Sequence, residues 1–212
     1  MQKISTCLLV LALVVLSGCS LKVVPEAVPG GIVSPDGKSL SLTRNDVTIT
    51  VGAVEEEAFA NAEGLITSLQ VEITNSGESE VLFDNDSFIV VDADKRQYFS
   101  VPPEKVRQML TKETYYLIPY PYVGFYYLED YEKSAYKNST NTSLPYYYEF
   151  YPENLFAQAL PMGPLIPKAK IHGLVYFQLD LAAQKAFALQ VYRKGSSRSA
   201  PPDYLFPFKV VK

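Results

Sequence analysis

From Val47 onward the chain alternates apolar and polar residues with a period of two. Val47, Ile49 and Val51 interleave with Thr48 and Thr50, and Leu69, Val71 and Ile73 with Gln70, Glu72 and Thr74. Side chains of a strand point alternately to its two faces, so this pattern predicts strands with one buried and one wetted face. Asn75-Ser76-Gly77-Glu78 supplies turn residues, and short apolar runs follow at 81–83 and 88–91. Asp92-Ala93-Asp94-Lys95 then turns the chain into 97–101. Residues 174–179, 186–192 and 204–211 complete a set of about seven or eight strands. One stretch reads as a helix, 103–112, where Pro103 opens the first turn and Val106, Met109 and Leu110 share a face. Strands with so little helical periodicity among them predict an all-β fold, two antiparallel sheets packed face to face as a sandwich.

Composition agrees with a globular chain: 212 residues, 48% hydrophobic and 20% charged. A net charge of -4 gives no basic footprint for nucleic acid. One His and two Cys are too few for a zinc site of His and Cys ligands or for a framework of several disulfides.

The first residues read differently. Lys3 precedes an unbroken apolar run at 7–16, followed by small residues, which is the pattern of a secretory signal. Those apolar residues would rise only ~15 Å as a helix, about half of the ~30 Å hydrocarbon core. Leu16-Ser17-Gly18-Cys19 resembles the bacterial lipobox. The resemblance implies a signal peptide of residues 1–18, cleavage between Gly18 and Cys19, a thioether-linked diacylglycerol on Cys19 and a further acyl chain on the new amino group. The mature side-chain charge becomes -5, since only Lys3 leaves. Two or three acyl chains hold a protein at a bilayer without any spanning helix. The position after Cys19 is Ser20 rather than Asp, which under this resemblance favours the outer membrane of a two-membrane cell. The implied location is the bacterial cell envelope, and no cofactor is expected beyond the covalent lipid.

Residues 20–43 contain Pro25, Pro29, Gly30, Gly31, Pro35 and Gly37 without a long apolar pattern, so residues 19–43 are expected to form a flexible lipidated tether. The folded domain is then 44–212, with an insert at 102–169. Within it, SLQVEITN at 68–75, Asp86-Ser87-Phe88, GLVYF at 173–177 and ALQV at 188–191 resemble the uncharacterised immunoglobulin-like domain of bacterial lipoproteins. That resemblance implies an immunoglobulin-like sandwich over 46–100 and 170–211. It brings no catalytic residues with it and does not extend to 102–169.

The insert is the most unusual segment. Twelve of the sixteen tyrosines fall between Tyr115 and Tyr151, and seven of the fifteen prolines between Pro119 and Pro167, which excludes a long helix there. Three readings stay open. The rings form a lid buried against the sandwich, or they offer a contact surface for a glycan, a peptide or a neighbouring envelope protein, or they seat at a bilayer interface. On the contact reading the candidate binding residues are Tyr120, Tyr122, Tyr126, Tyr127, Tyr146, Tyr147 and Tyr148. Glu129, Asp130, Glu132 and Glu149 oppose an anionic surface.

Catalytic motifs do not emerge. No Gly-x-Ser-x-Gly elbow, phosphate-cradling glycine loop or His-Glu-x-x-His helix is present. His172 reads as a strand-end residue rather than a general base, and the acidic pairs Asp84/Asp86 and Asp92/Asp94 read as turn chemistry rather than calcium ligands. The expected function is a membrane-anchored, noncatalytic binding or assembly module. Competing classes are an unrecognised envelope enzyme or accessory subunit, with acidic residues converging near His172, and a purely structural envelope component. Oligomeric state is not legible.

Overall fold

The computed structural model describes residues 21–54, 66–113 and 155–211. These form twelve strands: β1 (Lys22–Pro25), β2 (Gly31–Val33), β3 (Ser39–Arg44), β4 (Val47–Ala53), β5 (Thr67–Asn75), β6 (Val81–Phe83), β7 (Phe88–Asp92), β8 (Gln97–Val101), β9 (Gly163–Leu165), β10 (Lys170–Phe177), β11 (Ala186–Val191) and β12 (Tyr204–Val211). Helices span Pro103–Glu113 and Leu155–Gln158. Ten strands make one antiparallel sheet in the order β1-β12-β11-β7-β8-β10-β5-β4-β3-β2, and β6 and β9 pair separately.

The fold is all-β, as the period-two pattern predicts. The sheet arrangement differs from the expected pair of separate sheets. β8 pairs with β7 on one side and, through Tyr176↔Val101 and Phe177↔Ser100, with β10 on the other. The two halves are therefore one sheet, bent over on itself in the manner of a barrel. Their inner faces meet in a single core that joins Leu40, Ile49 and Val71 of one half to Phe88, Leu189 and Phe206 of the other. Tyr204 stitches the halves together. Its buried hydroxyl shares one proton between the carbonyls of Arg44 (3.0 Å) and Val47 (3.2 Å), at the tip of the β3–β4 hairpin.

A second difference concerns the expected tether. Residues 22–44 carry β1, β2 and β3, with Leu40 and Leu42 fully inside the core. β3 turns into β4 through Asn45 and Asp46, both in the left-handed region (φ 49° and 61°), with Arg44 paired to Val47. This is the two-residue hairpin geometry whose backbone twist matches that of paired strands, and Asn and Asp tolerate it best. β1 pairs along its length with β12, Lys22 opposite Val211. The prolines and glycines of this region mark turns between strands rather than a free linker.

Candidate binding surface

Cys19 and the seven candidate tyrosines, Tyr120, Tyr122, Tyr126, Tyr127, Tyr146, Tyr147 and Tyr148, lie outside the described residues. What the structure places is the root from which the Tyr-rich segment departs and to which it returns. Both flanking helices sit on the outer face of the sheet, where β8 and β10 meet.

The departing helix begins at Pro103, where a missing N–H costs nothing, and the carbonyl of Pro102 accepts from the N–H groups of Lys105 and Val106. Val106 is fully buried, in a small core with Ile66, Val101, Leu155 and Tyr176, and Met109 packs against its edge. The returning helix inserts Leu155 into the same core while leaving Phe156 46% exposed. The Tyr176 hydroxyl donates to the Leu155 carbonyl at 2.9 Å. Burial pushes this phenol up to about 12, so it is a neutral donor across the physiological range.

After that helix the chain passes from the outer core to the main one. Ala159 packs with the outer cluster and Leu160 with the inner. The crossing runs beside β10, where Ala159 bridges Leu174 and the Leu160 N–H donates to the Leu174 carbonyl at 2.9 Å. Gly173 makes this possible. A Cβ there would stand 2.5 Å from both the backbone nitrogen and the Cα of Leu160. The chain returns through the gap that opens because β8 and β10 pair over only two residue pairs.

Beside the root lies a solvent-open cleft of about 560 Å³, lined by Gln97 to Val101, Pro102, Lys105 and Gln178 to Asp180. Phe99 is 48% exposed at its rim, with the Arg198 guanidinium 5.8 Å from its ring centre, a cation–π geometry. Every buried side-chain polar atom among the described residues already has a hydrogen-bond partner. The cleft presents the half-exposed Phe99 ring together with Lys105 and Asp180 on its wall.

The polar residues singled out from sequence are occupied structurally. Asp92 accepts from the Arg96 N–H (2.8 Å) and the Tyr98 hydroxyl (3.0 Å). Burial opposes its charge, but those donors outweigh it and hold the carboxyl below the ordinary range, while the same burial pushes the Tyr98 phenol up. Asp84 and Ser87 clasp each other across a short 3-10 turn at Asn85–Ser87. His172 is exposed, directly across from Glu72, whose carboxylate Lys170 holds at 2.7 Å. No group of three or more His, Cys, Asp or Glu residues that could hold a metal occurs among the described residues. Among the described residues, no helix is long and apolar enough to cross a membrane.

Asn75, a turn residue by sequence, has a further role that the sequence does not disclose. This side chain is buried, accepts from the Gly77 N–H (3.0 Å) and donates toward the carbonyls of Ser79 and Leu165. It ties the β5 turn to β9, whereas an Asn ending an alternating strand before Ser-Gly signals only the turn.

No family model matches the chain, and no curated protein matches it. One similar solved structure is that of ycdA, a candidate lipoprotein of Bacillus subtilis subsp. subtilis str. 168, with 10% sequence identity and a TM-score of 0.36. The likeness covers 85% of this chain but only 38% of that one. At that level it fixes neither fold nor function.

Proposed function

We propose that the protein is an envelope lipoprotein, held to a membrane by lipid on Cys19, whose folded sheet is a noncatalytic module presenting the Tyr-rich segment to a binding partner. The observation that carries this reading is the common root. Both ends of the segment between the helices are seated on one patch, through Val106, Leu155 and Tyr176, so a long aromatic-rich stretch starts and ends at a fixed place. Tyrosine gives rigid amphipathic contact area at small entropic cost, and the partner class that suits it is another envelope protein or a glycan. The anchor rests on Leu16-Ser17-Gly18-Cys19, and the outer membrane on Ser20. An immunoglobulin-like topology is the finer fold reading. Its support is the antiparallel pairing and the two halves facing each other across one core.

The test is a pulldown from detergent-solubilised envelopes with the intact protein and with a variant in which 115–151 is replaced by a short Gly-Ser linker. Partners captured by the intact protein and lost with the variant support the reading, provided the variant unfolds with the same cooperative transition. Equal capture by both overturns it. Cys19→Ser is expected to move the protein from the membrane to the soluble fraction.

A further inference from the structure

We infer that one end of the folded sheet, formed by the start of β1 and the end of β12, is a bilayer contact surface. This rests on acylation of Cys19 as proposed above and adds which face of the domain meets the lipid.

The argument begins with chain length. β1 starts at Lys22 and is paired with β12 from its first residue, Lys22 opposite Val211. Three residues from Cys19 reach at most roughly 11 Å when fully extended. A flexible tether running to residue 43 would have spanned a root-mean-square distance of about 25 to 30 Å. With so short a link, lipid chains on Cys19 place this end of the sheet at the headgroups.

The surface suits that position. Leu21, just before Lys22 at the start of β1, and Val211, opposite Lys22 at the end of β12, are 38% and 50% exposed. At the same end of the sheet stand Lys22, Lys185 and Lys95, each exposed and none with a carboxylate partner among the described residues. Lys185 belongs to this end because its carbonyl accepts from the Val210 N–H at 2.9 Å. Lys95 belongs to it because its turn closes β7 beside the start of β11, Asp92 opposite Phe187. The acids at the same end are engaged. Glu26 holds Lys209 at 2.6 Å, Asp94 pairs with Arg96, Asp92 is buried on its two donors, and Asp180 accepts from the Ala182 N–H. In a chain of net charge -4, this end presents, among the described residues, three ammonium groups without carboxylate partners, against the single exposed carboxylate of Asp180 that no cation holds, together with two apolar side chains. Anionic headgroups attract such lysines, and the leucine and valine seat in the interface.

The chain contains no tryptophan, so single introduced tryptophans report depth without background at red-edge excitation. Val211→Trp and Leu21→Trp mark the proposed contact. Ser199→Trp marks the opposite end, beyond Tyr204, about 23 Å away along β12. The full-length acylated protein is reconstituted into vesicles of phosphatidylethanolamine and phosphatidylglycerol, with and without lipid brominated near the headgroup. Emission of the Val211→Trp and Leu21→Trp proteins is expected to fall roughly two-fold with brominated lipid, and that of Ser199→Trp to stay unchanged. The intact mass is recorded first. An acylated protein quenched equally at both ends, or at neither, overturns the orientation and leaves the anchor standing. An unmodified Cys19 overturns both.

Discussion

The two faces of the bent sheet come from the same strands but are held by different means. On β5, Leu69, Val71 and Ile73 point inward and are fully buried, while Gln70, Glu72 and Thr74 point outward. The inner face is continuous across the strands of both halves and folds over one shared core. The outer face is divided. Over β3 to β5 it is polar, with hydroxyl pairs Ser41–Thr50 and Thr43–Thr48, each at 2.8 Å. At β8 and β10 it turns apolar, and there the helices flanking the Tyr-rich segment cover it. The inner face makes the body stable, and a small apolar patch outside suffices to root an added segment. Substitutions on the two faces should therefore differ in size in a definite order.

The largest effect belongs inside. Phe206 is fully buried, with its ring 6.5 Å from that of Tyr204 and nearly parallel to it. Phe206→Ala is expected to cost about 3–5 kcal/mol by urea unfolding, the loss of a large buried ring plus the cavity left behind. A loss under about 1 kcal/mol would mean that the halves do not share one core.

The crossing point between the faces comes next. Gly173→Ala forces a Cβ against the Leu160 backbone, which cannot swing aside as a flexible side chain would. Overpacking of this kind costs about 1–3 kcal/mol or more. The change should also speed hydrogen exchange at the Leu160 amide, whose partner is the Leu174 carbonyl. If Gly173→Ala is neutral, the returning chain does not pass beside β10.

Much of the inner face was legible because alternation is a direct print of burial on the sequence. β4 and β5 follow from it, the short apolar runs at 81–83 and 88–91 disclose β6 and β7, the turn at 92–95 leads into β8, the strands at 174–179, 186–192 and 204–211 correspond to β10, β11 and β12, and Pro103 with Val106 and Met109 discloses the longer helix. β3 carried the same print at Leu40 and Leu42, and Asn45-Asp46 carried the hairpin turn. The surrounding Pro and Gly residues outweighed both signals and suggested a tether. β1 and β9 are three or four residues long, too short for any period to show. The joining of the halves through β8 and β10 depends on two residue pairs far apart in sequence, which no local pattern encodes. The Tyr-rich segment was legible only as a concentration of tyrosine, since composition names a segment without saying where the fold roots it.

The covered outer patch should show a smaller effect with a distinct pH signature. Tyr176→Phe removes one buried hydroxyl and leaves the Leu155 carbonyl without that donor, worth about 1 kcal/mol at neutral pH. In the folded state this phenol keeps its proton until about pH 12, whereas the unfolded phenol releases it near the ordinary value of 10.0. Its contribution is therefore intact below pH 10.0 and is lost as pH rises toward about 12. The slope reaches at most roughly 1.4 kcal/mol per pH unit. Urea titrations across that window should show a shallower decline in Tyr176→Phe than in the parent protein. Tyr204, whose phenol burial also pushes up, maintains a residual decline of the same sign. Parallel curves would place Tyr176 in water rather than under the returning helix.

The smallest effect is expected on the polar outer face. Lys170 and Glu72 meet at 2.7 Å across β10 and β5, but their side chains are 53% and 39% exposed. In water the Coulomb gain is small, holding two long side chains in one geometry opposes it, and salt screens the remainder. Lys170→Gln should change stability by less than about 0.5 kcal/mol, and 1 M salt should erase even that difference. A loss above roughly 1 kcal/mol that survives high salt would mean that another element covers this face of the sheet and removes the pair from water. The division between a bare polar half and a covered apolar patch would then fail, and with it the reason for placing the root of the Tyr-rich segment at β8 and β10 alone.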